Sequence, residues 1–130
     1  MKIVFTLITA IAILIAPATT AQDAEKGKRI FARCKACHTI KQGAPNRMGP
    51  NLHGVFGRPI ASKEDFKYSD ALSKIDGVWD NENLNQWLMS PRVFAKGTKM
   101  SFPGLRREDQ RADVIAWLKE NSNQTKSEPN

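Results

Sequence analysis

Apolar positions fall along the chain in four blocks of different rhythm. The first, Ile3 to Ala16, is broken only by Thr6 and Thr9. It follows Lys2 and ends in Pro17 and the small stretch Ala18-Thr19-Thr20-Ala21. A positive start, an apolar middle and small residues at the end predict a secretory signal over residues 1–21, cleaved after Ala21. The run falls short of the roughly 20 residues that a bilayer-spanning helix needs. Retention as an uncleaved anchor is therefore the weaker alternative.

The second block has a helical rhythm. Asp23 can cap a helix running from Ala24 to Arg33, with Gly27 and Phe31 four apart on one face. Glycine costs about 1 kcal/mol of helix propensity relative to alanine, so Gly27 reads as room for close packing against another helix. From Thr39 to about Phe66 no period survives. Gly43, Pro45, Gly49, Pro50, Gly54, Gly57 and Pro59 mark this stretch as loop. So long an irregular segment in a small domain usually carries function. Asp80 can cap a third block that stops at Met89, before Pro91, with Leu84, Trp87 and Leu88 as its apolar face. A second loop holds Gly97, Pro103 and Gly104. The last helix spans about Arg107 to Glu120, with Glu108 and Asp109 at its positive end, Lys119 at the other, and Val114, Trp117 and Leu118 as its buried stripe. The pattern predicts an all-α domain over residues 22–120, three main helices joined by long loops, and a polar tail over 121–130. No internal repeat is visible.

Composition narrows the function. A chain of 130 residues fits one domain, and 41% hydrophobic against 25% charged residues is the balance of a folded one. Two cysteines exclude a disulfide-rich scaffold and a four-sulfur zinc or iron–sulfur site. A net charge of +7 predicts an acidic partner: nucleic acid, a membrane surface or an acidic protein face.

The candidate chemistry lies in Cys34-Lys35-Ala36-Cys37-His38. This spacing reads as c-type haem attachment. Two thiols three residues apart can each form a thioether to one vinyl group, and the imidazole that follows reaches the iron from the same side. Three other readings compete, and one of them, coincidence, is weak because the two cysteines of the whole chain stand together before one of its two histidines. A redox dithiol usually sits after a strand at a helix start, whereas this pair closes a charged amphipathic helix. A zinc site would have only Cys34, Cys37, His38 and His53 to draw on. For the far side of the ring the candidates are Met48, Met89, Met100, His53 and nearby lysines. Met89 falls on a helix and reads as core filler. Met48 is close in sequence to His38, His53 reads as structural, and Met100 sits on a loop able to fold over the ring. Sulfur ligation there raises the potential and leaves no open site for a substrate.

The chain resembles the class I cytochromes c, the small soluble proteins of mitochondria and bacteria. The likeness rests on Cys34-Lys35-Ala36-Cys37-His38-Thr39, on Gly49 to Arg58, on Phe66 to Ala71, on Trp79, on Gly97-Thr98-Lys99-Met100 and on Val114 to Leu118. It implies the small cytochrome c fold wrapped around one haem c, joined covalently through Cys34 and Cys37, with His38 and Met100 as iron ligands. It also implies that the Pro50 carbonyl accepts from His38, and that Arg58, Tyr68, Trp79 and Thr98 approach the haem propionates. Gly27, Phe31, Val114 and Trp117 should form the crossing of the terminal helices, and Phe102 should cover the ring near Met100. Leu72 and Trp87 depart from the family, where Asn and Tyr are frequent.

The resemblance implies an electron carrier rather than an enzyme, a monomer in the periplasm that docks on acidic faces of redox partners. A quinol–cytochrome c oxidoreductase with a terminal oxidase is the expected pair, and delivery to a photosynthetic reaction centre or a periplasmic reductase is the rival. Arg33, Lys35, Lys41, Arg47, Arg92, Lys96, Lys99, Arg106 and Arg107 are the expected docking charges. Nucleic acid is set aside because these charges are scattered and the protein is expected to be exported.

Overall fold

Five α-helices and one 3-10 turn carry the regular structure in the computed structural model, which describes residues 22–122. The expected signal, 1–21, and residues 123–130 lie outside the described residues. The helices are α1 (Ala24–Phe31), α2 (Asp70–Ser73), α3 (Asn81–Met89), α4 (Pro91–Phe94) and α5 (Glu108–Asn121). Among the described residues, β pairing is limited to an isolated bridge between Pro59 and Val78. No helix there is long and apolar enough to cross a membrane. The expected all-α architecture stands.

The cap of α1 is Asp23, whose carboxylate accepts from the Lys26 amide at 3.1 Å. The Asp23 amide donates in turn to Asp113 of α5 at 2.8 Å, which ties the start of the domain to its last helix. A Cβ on Gly27 would collide with the Asp113 carbonyl and lie 2.8 Å from the Trp117 Cβ. The two helices can cross this closely only because Gly27 has no side chain. Beside it Phe31 and Trp117 pack with ring centroids 4.3 Å apart, and Phe31 and Val114 are each only 1% exposed. The expected crossing of Gly27, Phe31, Val114 and Trp117 is therefore present. Burying each large apolar side chain stabilises by about 1.5–3 kcal/mol.

Asp80 caps α3 as expected, accepting from the Asn83 amide at 2.8 Å. Leu84, Trp87 and Leu88 are buried. Met89 is not core filler: it is 45% exposed. It follows Leu88 by one position and is turned about 100° from the buried face. Trp79, Trp87 and Phe94 form an aromatic cluster with centroids 5.6–5.9 Å apart.

Three boundaries differ from the expectation. α1 ends at Phe31 rather than Arg33, and the chain tightens into a 3-10 turn over Cys34–Ala36. Pro91 does end α3, but it also opens α4, where its missing N–H costs nothing. α5 reaches Asn121, whose side chain donates to the Trp117 carbonyl at 2.8 Å, and Ser122 is fully buried. The packed domain thus extends two residues into the expected tail. Arg111 was not singled out by sequence, yet it is only 6% exposed and joins three parts of the fold. It donates to the Leu105 and Arg106 carbonyls, both at 2.8 Å, and to the Asn85 side chain of α3 at 2.6 Å.

Candidate haem site

The 3-10 turn presents the first part of the site. The Cys37 and His38 amides both donate to the Cys34 carbonyl, at 3.1 and 2.9 Å. The chain then runs beside the 49–52 segment. Gly49 donates to the Cys37 carbonyl at 2.9 Å and Leu52 to the Thr39 carbonyl at 2.8 Å. These two bonds bring Pro50 opposite His38, and Nδ1 of the imidazole donates to the Pro50 carbonyl at 2.7 Å. A Cβ on Gly49 would overlap the ring, within 2.7 Å of both its nitrogens. Buried Asn51 sets the loop. Its Nδ2 reaches Thr39 Oγ1 and the carbonyls of Lys41 and Ala44, and its Oδ1 accepts from the His53 amide.

Burial lowers the basicity of His38, partly offset by the Pro50 hydrogen bond. A carbonyl can only accept, so the proton of this hydrogen bond sits on Nδ1, and in the neutral ring the free electron pair is on Nε2. Burial pushes the Cys34 thiol up to about 11. That is the opposite of an activated thiol, which needs a lowered value, and it argues against the dithiol reading. Of the four residues a zinc site would have to draw on, Cys34, Cys37 and His38 line a common cavity and His53 is not among its lining residues.

All of Cys34, Cys37, His38, Pro50, Arg58, Tyr68, Trp79, Thr98 and Met100 line one cavity of about 290 Å³. Phe31, Leu52, Val55, Leu84, Leu88, Val114 and Leu118 supply apolar wall, and Phe102 stands in the segment that carries Met100. Leu72 and Trp87 line the same cavity and are buried. Of the four distal candidates named by residue, only Met48 and Met100 are in the lining. Met48 is 80% exposed, whereas Met100 is partly buried against the core. The His53 carbonyl accepts from Arg58 at 3.0 Å, a structural role for that segment. The Met100 amide donates to Thr98 Oγ1 at 3.2 Å, which leaves the Thr98 hydroxyl proton free to donate. Lys99 ties this loop to the 66–69 segment through the carbonyls of Lys67 and Tyr68, both at 3.3 Å.

The fit to a haem rests on more than shape. Nε of Arg58 is buried without a partner, on a side chain that lines the cavity. Burial lowers the Arg58 pKa, and the nearby Tyr68 and Asp65 partly restore it. A buried cationic donor lacking an acceptor suits a carboxylate inside the cavity. Sequence reading passed over Asn46 and gave Asn51 no role of its own within the Gly49 to Arg58 motif, because an Asn in a Gly/Pro-rich loop looks like ordinary turn composition.

Fold and cavity together define a small helical domain of the c-type haem class. The sequence matches the cytochrome c family model over residues 24–122, and the chain belongs to the cytochrome c family. Members of that family carry one covalent haem c, and the thiols in the matching motif are Cys34 and Cys37. The cytochrome c homolog of Rickettsia prowazekii is 47% identical over 97 residues, covering 75% of this chain and 55% of the relative. The chain thus spans about 55% of the length of that relative. Cytochrome c of Guizotia abyssinica is 42% identical over 100 residues, covering 76% of this chain and 90% of its own. Among solved structures, cytochrome cH from Methylobacterium extorquens is similar at 41% identity with a TM-score of 0.71, covering 75% of this chain and 98% of that one.

Proposed function

We propose that this protein is an exported monohaem electron carrier of the periplasm, with His38 and Met100 as iron ligands, working between respiratory redox complexes. The observation that carries the reading is the convergence of nine sequence-selected residues on one cavity, with the His38 imidazole held by the Pro50 carbonyl on one side and the buried, unpartnered Nε of Arg58 at its wall. When bound, the haem supplies a one-electron iron(III)/iron(II) couple. Cys34 and Cys37 hold it covalently, and His38 offers Nε2 while the Pro50 carbonyl fixes the ring orientation. Met100 offers a thioether, a soft donor that favours the reduced metal. Arg58, Tyr68, Trp79 and Thr98 are placed to meet carboxylates at the cavity wall. The apolar lining, including Leu72 and Trp87, excludes water. Two protein ligands leave no site for a substrate, which is why the reading is a carrier and not an enzyme.

Docking falls to the basic surface. Arg33, Lys35, Lys41, Arg47, Arg92, Lys96, Lys99, Arg106 and Arg107 are all exposed, and Arg33 and Lys99 lie at the cavity itself. Arg107 is paired with Asp109 and contributes least. Such a surface steers acidic partners. The test is an optical spectrum and intact mass of protein matured in a haem-attaching host, followed by electron-transfer rates against ionic strength. The reading expects covalent haem, no carbon monoxide binding near neutral pH, loss of residues 1–21, and rates that fall as salt rises. Unmodified thiols would overturn the cofactor, ready carbon monoxide binding the Met100 ligand, and flat rates the docking.

A further inference from the structure

The peptide unit joining Pro50 to Asn51 is engaged at both ends. Its carbonyl accepts from His38 Nδ1 at 2.7 Å, and its N–H donates to Asn46 Oδ1 at 2.7 Å. The Asn46 amide is oriented by a second bond, from its Nδ2 to the Asp65 carbonyl at 2.9 Å. Only one orientation of that amide satisfies both neighbours, because one is a donor and the other an acceptor. Asn46, Asn51, Pro50 and His38 therefore form one directional chain of hydrogen bonds that ends on the proximal imidazole.

We propose that Asn46 is a positioning residue that tunes the iron through this peptide. An acceptor on the Asn51 N–H polarises the amide and makes the Pro50 oxygen more negative, which strengthens the next hydrogen bond in a cooperative chain by roughly 10–30%. A more negative oxygen pulls harder on the Nδ1 proton of His38. The imidazole becomes more basic at Nε2, and a more basic ligand favours the oxidised metal. Asn46 thus holds the reduction potential below the value that Pro50 alone would set. The inference rests on His38 as the iron ligand, the reading proposed above.

The experiment compares holo-protein carrying Asn46→Leu with Asn46→Asp. Leucine removes the acceptor, whereas aspartate strengthens it with charge and loses only the donor to Asp65. The potential rises in N46L and falls in N46D. In the NMR spectrum of the reduced protein, the His38 Nδ1 proton moves upfield in N46L and downfield in N46D. If Asn46 were only a clamp between two loops, both variants would lose the Asp65 bond alike and shift the same way. That result overturns the proposal, as does a His38 proton that does not move. A charge acting through space would lower the potential of N46D without moving that proton, and this too overturns it. Circular dichroism melts check that both variants fold, and if N46L does not, the proton shift in N46D decides alone. A wild-type protein whose His38 ring shows no haem-induced shift would instead refute the ligand reading.

Discussion

Replacing Gly27 with Ala reverses the usual effect of that substitution. At an ordinary helical site the change gains about 1 kcal/mol, because glycine is the poorer helix former. Here the added methyl would overlap the Asp113 carbonyl and sit 2.8 Å from the Trp117 Cβ. The Asp113 oxygen is backbone, and Trp117 is buried against Phe31, so neither can turn aside. α1 and α5 must separate, and because the clash is with backbone the cost falls in the upper part of the overpacking range, about 2–3 kcal/mol. The net expectation is a loss of about 1–2 kcal/mol after the propensity gain is set against it. In a domain of this size each kcal/mol shifts Tm by about 4–8 °C. The assay is urea and thermal unfolding of the oxidised holo-protein, with Lys28→Ala on the exposed face of α1 as a control expected within about 0.5 kcal/mol of wild type. A G27A protein as stable as wild type, or more so, would show that the close helix crossing is not what Gly27 provides.

Met100→Ala should lower the reduction potential and let the reduced protein bind carbon monoxide; an unchanged potential by voltammetry would rule Met100 out as the ligand. Arg111→Met should keep the volume but leave the Leu105 and Arg106 carbonyls without their donor, at about 1–3 kcal/mol for each buried unsatisfied group, read from urea midpoints. Asp23 predicts acid sensitivity at the first helix. The Lys26 amide holds its carboxyl below the usual value, so its stabilisation is complete above the unfolded pKa of about 4 and is lost as pH falls through the lowered folded value. Asp23→Asn should flatten that part of the Tm–pH curve, and an identical acid limb in both proteins would refute the assignment.

α1, α3 and α5 were legible because each carries an Asp or acidic first turn and an apolar stripe at helical spacing. α2 and α4 were not, since four residues are too few for a period to register. Pro91 misled for a related reason: one residue both stops a helix and starts the next. The nine cavity residues could be named in advance because the Cys34 to His38 spacing is tied to covalent chemistry and the remaining motifs fall in family order. Arg111 and Asn46 could not. Their roles depend on backbone carbonyls and amides brought together by the fold, and backbone groups leave no mark on residue choice. Met89 shows the limit of helical rhythm at an end, where one position decides between core and solvent.

The contact between the first and last helices also couples the two ends of the domain to its interior. Asp23 and Asp113 meet although they are 90 positions apart. Closing a loop of that length costs about 4 kcal/mol by the (3/2)RT ln n rule alone. The seam is therefore only as firm as the interior it encloses. Val114 and Leu118 of α5 are part of the cavity wall, so the contact that joins the two ends of the domain and the lining of the cavity share the same side chains and stand or loosen together.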